Sequence, residues 1–347
     1  MARDWSDSGN EIQPKPFSKV PLRGPVSRRA IPWQVQERVN NENRKQFVPP
    51  RDRFGKGVTG RLNCRVKTVC AVHVGSGIYG IAEKEVIRAC VTLDDRPILP
   101  ATSLKGAVRS VAEAISRSCV RVIKGKLAHA LSLEDAKPCG AVDRKSRSRT
   151  KLCTCCSIFG ALGYQGRVSF DDALLLRGEI SVHKIQSPYP PRETAHSYKN
   201  TRRLYDGRKF YYHGTPVPVK HGEPYQVVKR GAEFQLAMHF DSLAPEELCL
   251  LLVSMGISDD IIIKCGGGKQ AMLGSVEIFP LDLEIRNPVE SFTDFSGGVK
   301  ILSGDALRDF TREMGDKHAD LIDEDALDQL MSIWDRDNPR EAPTGIY

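Results

Sequence analysis

An α+β fold with the element order β-α-β-β-α-β is what the sequence predicts, on three observations. Residues 58–74 alternate, with Val58, Leu62, Cys64, Val66, Cys70, Val72 and Val74 on even positions and Arg61, Asn63, Arg65 and Lys67 on odd ones. That is the period of a strand with one buried face and one basic face. Leu104, Val108, Val111, Ala112 and Ile115 instead fall on one side of a helix. Phe234, Leu236, Met238 and Phe240 return to the period of a strand.

The elements follow in order. Residues 1–57 are rich in Arg, Asn and Gln and carry Pro14, Pro16, Pro21, Pro25, Pro32, Pro49 and Pro50, so an extended basic arm is expected there. Order begins at Val58. The loop GSGIYGIAEKEV separates the first strand from the helix, and GRVSFDDALLL from Gly166 reads as the next strand. After the strand Glu233–Asp241, Pro245, Glu246 and Glu247 open a second helix that Gly256 closes. Ser275–Ile285 is the last strand, broken at Pro280. This is the ferredoxin-like (RRM-like) pattern over residues 58–286. Two insertions interrupt it, a cysteine-containing one at 119–165 and another at 174–232 that is too long for a hairpin loop. Long insertions on a compact scaffold usually carry function. Residues 287–347 add two helical patterns, Asp305–Met314 and Asp323–Trp334, as an acidic surface extension or protein contact.

Composition narrows the partners. A net charge of +8 favours an anionic one, and aromatic content of 7% favours contacts to a nucleic-acid backbone over extensive base stacking. No apolar run is long enough to span a bilayer, and MARDWSDSGNEIQ lacks an apolar signal core, so a cytoplasmic protein with no membrane partner is expected. Ten cysteines in such a chain point to reduced thiols or a metal site.

Two segments suit phosphate. In RPILPATSLKGAVRSV an extended, proline-bounded run reaches a helix start with Thr102 and Ser103 as caps and Lys105 and Arg109 in the opening turns. Free backbone N–H groups, hydroxyls and cations converge there, and Gly106 permits close backbone approach. In KCGGGKQAMLGSVEI, Gly266, Gly267 and Gly268 can aim N–H groups at an anion beside Lys269. The spacing is not that of a nucleotide-hydrolase loop. Between them, the tract from Lys184 to Tyr212 mixes Arg202, Arg203 and Lys209 with Tyr198, Tyr205, Phe210 and Tyr211, a mixture suited to phosphate pairing and stacking on unpaired bases. Arg65 and Lys67 on the basic face of the first strand, with His73 at its end, complete the expected RNA surface.

Cys153 and Cys156 have the C-x-x-C spacing of two corners of a tetrahedral metal site, and Cys139 sits in a Pro-Cys-Gly turn. Cys119, Cys155 and His129 compete for the fourth place. A structural zinc would brace a basic insertion with little core of its own.

The segments PILPATSLKGAVRSV, CSIFGALGYQGRVSFDDA and GGGKQAMLGSVEI, in this order on this skeleton, resemble the RAMP superfamily of CRISPR-associated proteins. The nearest likeness is to backbone subunits of type III effector complexes, and DGRKFYYHG resembles a segment of one subgroup. The resemblance covers residues 60–285. It implies a subunit that polymerises along a CRISPR RNA, with a β-hairpin thumb around residues 185–228, and it is in line with zinc, which some members hold in the cysteine region. Members that cleave target RNA carry an Asp in the loop after the first strand. Here Glu83 falls closest to that position, Glu85 is next, and Asp94 and Asp95 lie later beside a turn. A Glu is one methylene longer, and a misplacement of about 1 Å costs on the order of a hundredfold in rate.

The expected function is therefore a CRISPR RNA-binding backbone subunit of a type III ribonucleoprotein, with complementary target RNA and other effector subunits as partners. The alternatives are a magnesium-aided target-RNA endoribonuclease using Glu83, and a free-standing zinc-containing RNA-binding protein.

Overall fold

The computed structural model describes residues 16–26, 28–30, 57–82, 84–120, 131, 138–139, 151–162, 164–186, 204–217, 219, 222–257, 261–294, 297–335 and 340–341. The N-terminal segment gives β1 (Phe17–Pro21) and β2 (Arg28–Ala30). The alternating segment gives β3 (Val58–Thr68), followed by β4 (Gly75–Ala82), β5 (Glu85–Cys90), β6 (Thr92–Leu93) and β7 (Arg96–Leu99). Helix α1 (Ala101–Ala114) comes next. The cysteine region adds β8 (Lys151–Cys153), α2 (Thr154–Phe159), β9 (Gly160–Ala161) and β10 (Tyr164–Gln165). Then come β11 (Val168–Phe170), β12 (Ala173–Arg177), β13 (Ile180–Ile185), β14 (Gly207–Tyr211), β15 (Gly214–Thr215), β16 (Glu223–Val228) and β17 (Glu233–Leu243). Helix α3 (Pro245–Ser254), β18 (Ile263–Lys264), β19 (Ser275–Arg286), α4 (Pro288–Thr293), β20 (Val299–Ser303), α5 (Gly304–His318), α6 (Glu324–Ile333) and β21 (Arg340–Glu341) complete the order.

The main sheet runs β18-β19-β3-β17-β12-β7-β6, with β11 also on β17 and β20 also on β19. Its neighbours are antiparallel throughout. The parity of β3 is as the sequence predicts: Leu62, Cys64 and Val66 are fully buried. They pack into one core with Leu104, Val108 and Val111 of α1 and Leu248, Leu251 and Leu252 of α3. Each such side chain contributes about 1.5–3 kcal/mol, more than a surface ion pair, so burial sets the register of β3. A second sheet, β13-β16-β5-β4, joins the long insertion to the loop after β3.

Several elements depart from expectation. Pro280 bends the last strand rather than breaking it: β19 continues to Arg286 through a register shift between Pro280 and Asp282. The buried set moves from Val276 and Ile278 to Leu283 across that bulge. The GRVSFDDALLL segment is two strands, β11 and β12, which run in the same direction along β17 and are separated at Asp171 and Asp172 by a one-residue register shift. Part of the expected arm is a strand, β1, paired with β14, and Val20 is fully buried. In the C-terminal extension, Ala326, Leu330 and Trp334 of α6 and its end enter the main core, and Asp323 donates its N–H to Ile115 O at the end of α1.

Candidate nucleic-acid interface and metal centre

The two phosphate motifs, about 160 residues apart in sequence, meet across one cleft. Its volume is ≈ 430 Å³, and its walls are Thr102, Ser103, Gly106 and Ser110 of α1, Gly266, Gly267 and Lys269 of the glycine loop, and Lys209 and Tyr211 of β14. Lys264 and Trp334 also line it, and among the described lining residues none carries a carboxylate. Lys209 is held in place by two rings, its Nζ lying 4.5 Å from the Phe17 centroid and 4.6 Å from that of Tyr211.

Helix α1 presents its stripes differently from the sequence expectation. Pro100 is the N-cap and no side chain of the segment caps the helix; Thr102 and Ser103 face the cleft instead. The first N–H groups are largely taken: Ala101 donates to Asp172 Oδ1 at 2.7 Å, and Ser103 and Leu104 donate to Pro100 O. The cleft stripe is therefore one of hydroxyls and a glycine. A Cβ at Gly106 would meet no atom of the described residues within 4 Å, so its smallness answers no packing need among them.

Lys105 and Arg109 lie on another stripe. Lys105 Nζ donates to Val168 O at 2.6 Å. Arg109 is 6% exposed, with Nε on Glu113 Oε1 at 2.6 Å and Nη1 on Gly160 O at 2.8 Å. Arg109 is thus corrected from an RNA contact to an interior anchor, because the i,i+4 carboxylate and the carbonyl of β9 claim its donors.

The glycine loop is shaped partly by its own chain. Gly266 has φ +83°, and a Cβ there would lie 2.2 Å from His73 O. Gly267 donates its N–H to that same oxygen at 2.8 Å, so this amide is not free for an anion. Gly268 and Met272, both left-handed, bracket a short 3₁₀ turn over Lys269–Ala271. Lys264 holds the turn, its buried Nζ donating to Met272 O and Leu273 O, and burial pushes its pKa down to about 8. Burial likewise lowers the pKa of Lys269. The sequence motif contains Lys264, but nothing in its spacing marks it as the residue beneath the loop.

The face of β3 expected to be basic is charge-balanced. Lys67 sits opposite Glu233 on one side and Glu277 on the other. Arg65 donates to Glu233 Oε2 at 2.8 Å, and hydrogen bonds from Arg177 and Arg65 hold the Glu233 carboxyl down to about 2. His73 is 3% exposed beneath the glycine loop, not on that face, with Nδ1 on Gln226 O at 2.7 Å and its pKa lowered by burial. Asp94 and Asp95, both at positive φ, form the tight turn between β6 and β7. Glu85 accepts from Lys184 Nζ at 2.6 Å. Glu83, Arg202, Arg203 and His129 lie outside the described residues.

Cys119, Cys139, Cys153 and Cys156 come together, with all four Sγ within 4.8 Å of one another. Zn–S bonds of about 2.3 Å place tetrahedral sulfurs ~3.8 Å apart, and the Cys119–Cys156 and Cys119–Cys153 separations are 3.5 and 3.6 Å. Two donors already point at sulfur: Arg109 Nη2 at Cys156 Sγ, 3.3 Å, and Cys153 N–H at Cys139 Sγ, 3.4 Å. Hydrogen bonding among the four thiols pulls the Cys153 pKa down to about 6 and lowers that of Cys139, while it pushes those of Cys119 and Cys156 up. This donor set fits a divalent metal held by thiolates. Cys155 is apart from it, beside Ser116, with its thiol pushed up to about 12 by burial, so among the described candidates Cys119 takes the fourth place.

No helix among the described residues is long and apolar enough to cross a membrane. No curated protein matches the chain. A family model for the RAMP superfamily matches residues 65–277, a span that holds the cleft-lining part of α1, the four cysteines and the glycine loop. Matched over more than half its length by that model, the chain belongs to the RAMP superfamily of CRISPR-associated proteins.

Proposed function

We propose that this protein is a CRISPR RNA-binding backbone subunit of a type III ribonucleoprotein, acting in the cytoplasm on complementary target RNA with other effector subunits. The observation that carries the reading is the cleft: two distant motifs and β14 converge on it with Lys209, Lys264 and Lys269, four hydroxyls and, among the described residues, no carboxylate. Hydroxyls and lysines without acids suit phosphate oxygens and ribose, not base edges, so guide–target pairing supplies the sequence specificity. The order β19-β3-β17-β12, with α1 and α3 following β3 and β17, supports a ferredoxin-like core. The antiparallel pair β13–β16, which frames residues 187–203, supports a thumb in that insertion. The four thiols are assigned a structural zinc, which would tie the 119–165 insertion together.

The test is RNA binding by the full chain as a function of salt, in wild type and Lys269→Ala. Loss of one phosphate contact lowers the slope of log K against log salt by about 0.7 on a single strand. An unchanged slope would overturn the cleft assignment. Sequencing the RNA that copurifies with the protein and its neighbours decides the class. Repeat-derived RNA of defined length supports the CRISPR reading, and its absence leaves the free-standing zinc-containing RNA-binding protein.

A further inference from the structure

The cleft and the cysteine cluster share helix α1, and two arginines join them. Arg109 leaves α1 between the cleft residues Gly106 and Ser110 and spends its donors on the opposite segment: Nη2 on Cys156 Sγ, Nη1 on Gly160 O, with Cζ 6.0 Å from the Phe159 ring centroid. Its third nitrogen, Nε, donates back to Glu113 Oε1 on α1. Arg208 does the same from the other wall. It precedes the cleft residue Lys209 on β14, and donates to Glu113 O, Ser118 O and Cys119 O at 2.9–3.0 Å. Each of these two cleft walls is thereby fastened by one guanidinium to a segment that carries a thiol ligand.

We propose that Arg109 is a positioning residue of the four-cysteine centre, and that through it metal loading sets the RNA affinity of the cleft. The proposal rests on the RNA-binding reading above for its second half alone. Metal binding makes Cys156 a charged ligand, and a hydrogen bond to a charged acceptor is roughly twice as strong as a neutral one. Metal therefore tightens the link between the 153–160 segment and α1, and with it the seat of Ser103, Gly106 and Ser110 opposite the glycine loop. Such coupling is reciprocal: RNA in the cleft raises the affinity of the cysteines for metal by the same factor. Arg109 touches neither RNA nor metal; it acts through Cys156.

The experiment uses the full chain, loaded with zinc or cobalt or stripped by a chelator, in wild type, Arg109→Gln and Arg109→Lys. Zinc affinity is read by chelator competition, the sulfur-to-cobalt charge-transfer bands by absorption, and RNA affinity by anisotropy with a labelled single-stranded RNA. Loss of an outer hydrogen bond to a ligand lowers metal affinity by about 10–100-fold, and this is expected for Arg109→Gln together with a shift of the charge-transfer bands. Wild type is expected to bind RNA about 5–20-fold tighter with zinc than without, and Arg109→Gln to lose that ratio. Arg109→Lys keeps the charge with fewer donor directions and falls between, which also guards against a glutamine variant that fails to fold. Unshifted bands with wild-type zinc affinity in both variants would overturn the positioning role. An unchanged zinc-dependence of RNA binding in both would overturn the coupling. If wild type binds no RNA with or without zinc, the functional reading fails while the metal measurements still judge Arg109.

Discussion

Gly106→Ala is expected to make the protein more stable and its RNA binding weaker. Gly106 lies in the interior of a 14-residue helix, where glycine costs about 1 kcal/mol relative to alanine. A Cβ there meets no atom of the described residues within 4 Å, so none of them offsets that gain. With a urea m-value of about 3 kcal/mol per M for a chain of this size, the unfolding midpoint rises by roughly 0.3 M. In the cleft, the added methyl stands between Ser103 and Ser110 and holds a phosphate off the helix. Loss of one hydrogen bond, at about 1 kcal/mol, weakens RNA by roughly fivefold. Circular dichroism in urea and fluorescence anisotropy at fixed salt measure the two effects on the same preparation. Stabilisation with unchanged RNA affinity would refute the reasoning, because the glycine would then serve no ligand. Destabilisation would refute the open space at this position.

Other outcomes follow from the same geometry. Cys156→Ser is expected to lose bound zinc while Cys155→Ser keeps it, as elemental analysis of purified variants will show; equal zinc in both would exclude the assigned ligand set. Lys264 has its folded pKa lowered to about 8 from 10.5, so the unfolded chain binds more protons between those values and this residue's contribution to stability rises with pH across that window. The slope of unfolding free energy against pH from 8 to 10 should accordingly be more positive in wild type than in Lys264→Met, and equal slopes would count against the lowered pKa. Arg167 and Glu247 form an ion pair whose side chains are 5% and 12% exposed. Glu247→Ala leaves that guanidinium buried without its carboxylate and should cost about 3 kcal/mol in a urea melt; a cost below 1 kcal/mol would show the pair is solvated.

Much of the fold was legible because burial repeats with a period. The even-numbered face of β3 and the Pro245 and Gly256 ends of α3 are local signals, and the structure keeps them. The glycine loop and the start of α1 were each visible, but their meeting across a cleft was not, since it depends on strand order. Charge was less legible than hydrophobicity. Arg65 and Lys67 look like a basic face until β17 and β19 bring Glu233 and Glu277 beside them. Arg109 did carry a local warning, the Glu113 four residues on, which marks an ion pair along the helix. Asp172, which takes the first N–H of α1, is 71 residues from it and left no such trace. Trp334, a cleft wall, hid in a segment whose acidic composition suggested a surface appendage.

Strand β1 has a consequence for how the molecule is made. Phe17 pairs with Tyr211, and Lys19 reaches Asp206, 187 residues later. At a synthesis rate of about 5–20 residues per second, the first strand waits roughly 10–40 s for its mate. During that interval Phe17 and Val20 have no sheet to enter, and β14 arrives last to close the ribbon. A shortened chain that starts after residue 21 would thus lose more than a tail. It would emerge with the edge of β14 bare and Lys209 stripped of the Phe17 ring beneath it, so early removal of the N-terminus should show as aggregation before it shows as weak binding.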